Sequence, residues 1–209
     1  FATSAEYLGH VVSRRGLEMD PKKIKAISEM DTTAINEVGR VRSFLGLASY
    51  YRRFIRDFAR IAAPLHDLTK DGVDVATISQ STECQASMRE LIVALTSEPV
   101  LVLPRFDREF IVKTDAASTE GIGGVLSQVD DDNKERVNAY YGRRLKKAER
   151  QWTVTEVELL AALESISNWR PYLWGRKFRL IVDHSALRWL HTMRDTFEGG
   201  PASRLMRWI

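Results

Sequence analysis

Among 209 residues there is one cysteine, Cys84, which leaves no internal disulfide and no multi-cysteine zinc site and suits a reducing compartment. No run of 18 apolar residues occurs, so no segment reads as a membrane-spanning helix and no membrane partner is expected. The opening "FATSAEYLGH" has neither the basic nor the apolar part of a secretory signal, and no initiating Met. "SRLMRWI" stops inside what reads as a helix, so the chain is expected to be a piece of something longer. Repeats, low-complexity tracts and long linkers are missing too. Excess charge of one sign is small, +3 overall, but uneven. The first 70 residues hold 12 Lys and Arg against 8 Asp and Glu, and the remainder 19 against 20. Such a basic excess is usually a solvated face, and it can also meet phosphates.

What is present divides in two. The first third reads helical. In "MDPKKIKAISEM", Asp20 is placed to cap a helix whose first residue is Pro21, where its missing N–H costs nothing. Val38, Val41, Leu45, Ala48, Tyr51 and Ile55 recur at three- and four-residue spacing and predict one buried stripe from about residue 36 to 55. Further helices are expected at about 58–69 and 82–97, with a loop, "KDGVDVATISQS", between them. From Glu109 the period changes to that of strands, expected at 109–115, 121–129, 136–141 and 177–183. "DDDNKE" makes the hairpin turn after the second strand, so its three aspartates are a polar turn and no metal site. A helix from Val154 to about Arg170, closed by Pro171, precedes the last strand. Three meandering strands, a crossover helix and a strand returning in parallel make a mixed α/β sheet.

The chemistry-bearing residues are acids. "FIVKTDAASTEG" runs an apolar strand into Asp115, which by itself reads as a turn-initiating Asp. "KFRLIVD" ends in the same way on Asp183. As parallel neighbours these strands would bring both carboxylates to one carboxyl edge, where open sheets bind ligands. The crossover helix offers Glu156 and Glu158. "TVTE" is a capping box, which assigns Glu156 to the helix start. Glu158 lies on a stripe with the small residues Ala161, Ala162 and Ser165, which would let that face approach a sheet closely. Taken from the helix alone, Glu158 reads equally as a solvated surface residue. Three carboxylates without basic partners raise one another's pKa unless hard divalent cations neutralise them. Mg2+ with phosphate oxygens fits that donor set, and metal-assisted phosphodiester cleavage is the chemistry it suggests.

"TDAASTEGIGGVLSQ", "TVTEVELLAALESISNWRPYLWGRKF" and "VDHSAL" resemble the ribonuclease H domain of gypsy-type long-terminal-repeat retroelement polyproteins. "EYLGHVVSRRGLEMDPKKIKAI" and "RSFLGLASYYRRFIRDFARIAAPL" resemble the end of a reverse transcriptase palm and the helices after it. The resemblance spans the whole chain. It implies an α/β fold in two parts: residues 1–97, the palm end and a thumb- or connection-like helical region, and residues 98–209, a ribonuclease-H-like mixed sheet with crossover helix. It implies that Asp115, Glu158 and Asp183 are catalytic and hold two Mg2+ ions, with Mn2+ as the alternative. Asp115 would be shared between the ions. The activity implied is hydrolysis of the RNA strand of an RNA–DNA hybrid. Arg52 and Arg53 would reach hybrid phosphates. The implied partners are the hybrid, an upstream polymerase domain and a downstream integrase of the same polyprotein.

The departures are specific. The family's fourth acid, in a "DALS"-like segment after a fifth strand, and its last strand and helix have no counterpart before Ile209, and Asp195 and Glu198 come too early to replace that acid. The polymerase "YxDD" is not in the chain either. The alternative from another class is a retroelement-derived module without catalysis that only binds nucleic acid or protein. His184, beside Asp183, reads both as a substrate-phosphate contact and as a surface or helix-start residue. Cys84, Trp169, Trp174, Trp189, Tyr50 and Tyr51 read as packing.

Overall fold

The computed structural model describes residues 4–29, 37–70, 72–73, 81–97, 101–117 and 121–182. The chain starts as a three-stranded antiparallel meander, β1 (Ser4–Tyr7), β2 (His10–Ser13) and β3 (Gly16–Met19), and not as a helix. Four-residue strands carry too little alternation to read from sequence. The turn between β1 and β2 holds Leu8 at φ 45 and Gly9 at φ 70, the positive values a two-residue hairpin needs. Leu8 tolerates this because its carbonyl accepts hydrogen bonds from Tyr50 Oη and from the His10 ring.

Helix α1 (Pro21–Ser28) follows with Asp20 as its cap, accepting from the Lys22 amide at 2.8 Å. The predicted 36–55 helix is shorter, α2 (Val38–Tyr50) and then a 3-10 turn, Arg52–Phe54. Asp57, at φ 56, breaks the helical path before α3 (Phe58–Ile61). A second break comes at Ala62, because Pro64 in the first turn of α4 (Ala63–Leu68) cannot continue a helix. Helix α5 (Thr82–Thr96) is capped by Ser81. Val41, Leu45, Ala48, Tyr51 and Ile55 are buried as the stripe predicts, and Phe44 and Phe54 join them. Together with α4 and α5 they build one hydrophobic core.

The second part is a four-stranded sheet in the order β6-β5-β4-β7, with β4 (Phe110–Ala117), β5 (Gly121–Val129), β6 (Glu135–Arg144) and β7 (Phe178–Val182). β4, β5 and β6 meander antiparallel, and β7 returns parallel to β4. The crossover is α6 (Val154–Asn168), preceded by a 3-10 turn, Glu149–Gln151, and followed by a single helical turn, α7 (Arg170–Leu173). Pro171 therefore opens α7 within its first turn, and α6 has already ended on the cap residue Trp169.

The pleat sorts the sheet into two faces. Phe110, Val112 and Leu126 face α6 and pack with Trp169 and Leu173. The opposite face turns toward the helical part: Val137 lies on its core with Tyr140, and a Cβ at Gly142 would touch that of Ala59 at 3.9 Å.

Candidate active site

Asp115 lies on β4, two residues before its end, and is exposed. It pairs with Gly123 of β5 and shares that residue's face. A Cβ at Gly123 would lie 3.8 Å from Asp57 Oδ1, whereas one at Gly124 would lie 2.5 Å from Ser165 Oγ of α6. The Asp115 side chain thus leaves the sheet on the side of the helical part, opposite α6. Among the described residues it makes no ion pair or hydrogen bond through its side chain.

Glu158 lies in the second turn of α6 and is 6% exposed. Its neighbours fix where it sits. Leu159 packs against Val182 at the end of β7. Val157, Leu160 and Ala161 pack with Ile122, and Ala116 joins that cluster from the residue after Asp115. Asp115 and Glu158 therefore approach the same end of the sheet from its two sides. The capping box is formed in full: the Thr153 hydroxyl accepts from the Glu156 amide at 3.3 Å, and the Glu156 carboxylate accepts from the Thr153 amide at 2.8 Å. Glu156 is occupied at the helix start, which leaves Glu158 as the acid of the small-residue face.

Asp183 and His184 lie outside the described residues. The parallel register stops one step earlier, at Thr114↔Val182. Among the described residues no group of three or more His, Cys, Asp or Glu is gathered closely enough to hold a metal. Arg52 is exposed on the 3-10 turn that packs against β6. Arg53 is half-buried, and its Nε has no hydrogen-bond partner among the described residues. The aspartates of the hairpin serve the turn, with Asp130 accepting from the amides of Asp132 and Lys134.

Two features escaped sequence reading. Asp57 reaches the face of the sheet that carries Asp115, and its only sequence signal is the breaking of a helical pattern. The second is a partly buried ionic set between β6 and α6. Arg143 of β6 donates to Glu149 at 2.7 and 3.0 Å and to Glu164 of α6 at 2.8 Å, and Tyr141 donates to Glu164 at 2.9 Å. Burial works to raise the Glu149 carboxyl, but hydrogen bonds from Arg143 and the Lys146 amide bring it below the usual carboxylate range. Burial, followed by the bond to Glu164, pushes the Tyr141 hydroxyl up to about 12. One expectation fails at the surface: Trp169 is core, but Trp174 is 72% exposed because α7 ends there and Gly175, at φ 71, turns the chain away.

The family described as "RNase H-like domain found in reverse transcriptase" matches residues 81–180. The chain is 39% identical over 195 residues to the retrovirus-related Pol polyprotein from transposon opus of Drosophila melanogaster, covering 88% of this chain and 19% of that one. It is 35% identical over 218 residues to the polyprotein from transposon gypsy of the same organism, covering 100% of this chain and 20% of the relative. The chain belongs to the gypsy-type retroelement polyproteins. It spans about a fifth of the length of these curated relatives. The fold of this gypsy-type chain is also that of a foamy viral protease-reverse transcriptase solved with RNA/DNA hybrid, at a TM-score of 0.76 and 17% identity, covering 99% of this chain and 27% of that one. A second foamy viral structure, with double-stranded DNA, gives the same TM-score over 100% of this chain and 42% of that one. The mixed sheet and its crossover helix are the ribonuclease-H-like part of the gypsy-type chain.

Proposed function

We propose that the sheet-bearing part of the chain, residues 98–209, hydrolyses the RNA strand of an RNA–DNA hybrid, as the ribonuclease H of a reverse transcriptase. The observation that carries this reading is the β4–β7 register. It pairs Thr114 with Val182, and the next residue in both segments is an aspartate, Asp115 and Asp183. Glu158 enters at the same end of the sheet, from a helix turn packed on Val182. On this reading the three carboxylates gather at the carboxyl end of β4 and β7, with Asp115 and Glu158 reaching around that end from the two faces.

The donor set is oxygen only, and Asp115 is exposed with no cation paired to it among the described residues. Those features suit Mg2+, or Mn2+ in its place. When bound, a pair of such ions polarises the scissile phosphate and lowers the pKa of the attacking water. Asp115 would ligate both ions, and Glu158 and Asp183 would complete the set. The small, exposed side chain of Ala117, on the same face as Asp115, keeps the approach to the strand end open. Arg52 and Arg53 would hold hybrid phosphates, and His184 would contact the substrate phosphate. Such contacts position the duplex without reading its sequence. Residues 1–97 would be the palm end and thumb-like region, with the polymerase site upstream in the polyprotein and an integrase downstream.

The test is cleavage of a labelled RNA–DNA hybrid in Mg2+. It uses the 209-residue chain and a longer polyprotein segment containing it, each with and without Asp115→Asn. We expect the longer segment to cut the RNA strand and the substitution to lower its rate at least about a hundredfold, the scale on which removing one charge-stabilising group acts. An unchanged rate in the variant would take Asp115 out of the reaction, and no cutting by the longer segment would leave a binding module without catalysis.

A further inference from the structure

We propose a second nucleic-acid contact at the far end of the sheet: a basic and aromatic surface around Trp174 that takes single-stranded nucleic acid. The surface is built by α7, the turn after it, and Phe106 from the segment before β4. The Arg170 guanidinium lies over one face of the Trp174 ring, 4.2 Å from its centroid, and at 72% exposure the rest of the indole meets solvent. Arg176 lies over Phe106 at 4.8 Å and is fastened there by donating to the Phe106 carbonyl at 2.8 Å. Phe106, itself 49% exposed, stacks on Tyr172 at an interplanar angle of 15°.

Charge decides the occupant. Arg105, Arg108 and Arg179 nearby are each paired with an acid, Asp107, Asp131 or Glu109. Arg170, Arg176 and Lys177 form no ion pair among the described residues, so two uncompensated cations lie on the exposed rings and a third follows Arg176 in the chain. A polyanion with planar groups satisfies both features at once: phosphates meet the cations and a base covers the open face of the indole. The bases of a duplex are already stacked and paired, so stacking on Trp174 selects a single strand. Phe110, which packs edge-on against Phe106, begins β4, and Asp115 lies five residues further along, about 17 Å at the rise of a strand. The surface is thus separate from the carboxylate edge and needs no metal.

The test is fluorescence anisotropy of a labelled 12-residue oligouridine with the 209-residue chain in EDTA, where binding is independent of hybrid cleavage. Trp174→Ala should weaken binding about fivefold or more, and Trp174→Phe should retain most of it. Arg176→Gln and Lys177→Gln should each flatten the dependence of log affinity on log salt by about 0.7. Lys134→Gln removes the same charge from the distant hairpin and should change affinity little. Circular dichroism confirms the fold of each variant. No binding by the parent chain would overturn the proposal, as would equal affinity in the Trp174→Ala and Arg176→Gln variants. Self-association that Trp174→Ala abolishes, without an effect on the oligonucleotide, would also overturn it and assign the surface to a second copy of the chain.

Discussion

Gly124 has no room for a side chain. A Cβ there would lie 2.5 Å from Ser165 Oγ and 3.1 Å from the Trp169 ring, both on the α6 side. Since neither the helix nor its buried tryptophan can yield cheaply, Gly124→Ala should destabilise the chain by about 1–3 kcal/mol, read as a lower urea midpoint. Ser165 belongs to the small-residue stripe that the sequence displays, but its glycine partner is invisible there because spacing does not say which strand passes beneath a helix. Other residues divide in the same way. Asp20, Glu156 and Asp130 act through amides within four residues and were legible. Trp174 was not, since an indole in a helical pattern reads as core, and only the short α7 and the positive φ at Gly175 turn it outward.

At the scale of elements, α6 carries the most weight. Its capping box sets where it starts, and the Arg143 set holds it against β6. Glu149 is 8% exposed and Arg143 22%, so removing the cation leaves a carboxylate with little water to replace it. Arg143→Leu should cost about 3–5 kcal/mol in urea unfolding, more than an exposed pair would. Arg143, Glu149 and Glu164 are too far apart in the chain for a local pattern to announce them. The strands and crossover helix were legible because alternation and helical period persist over five or more residues. The N-terminal meander was not: each strand is four residues long, and β3 is completed by a bridge from Leu17 to Leu101, more than 80 positions away.

Across the whole molecule, β6 joins the two parts. Its Val137 and Tyr140 rest on the helical core, and Arg144 reaches Asp67 of α4 at 2.8 and 3.2 Å. Hydrogen bonds from Arg144, helped by Lys70, hold the Asp67 carboxyl at about 2. With the folded value below the ordinary 3.8, the stabilisation is complete above about pH 4 and is lost as pH falls toward 2. Asp67 is 43% exposed, so the loss is about 1 kcal/mol at most. Asp67→Asn should flatten stability against pH in that window by a similar amount. How the parts dock was hidden from sequence, since it depends on which face of the sheet stays uncovered by α6. The proposed site at the sheet end depends on the same arrangement, because Asp115 leaves on the docked face and Glu158 comes from the other. The most direct test is calorimetric titration of Mn2+ into the 209-residue chain. Specific binding weakened at least about tenfold by each of Asp115→Asn, Glu158→Gln and Asp183→Asn is the predicted result. An affinity that any one of the three substitutions leaves unchanged would contradict a shared metal site.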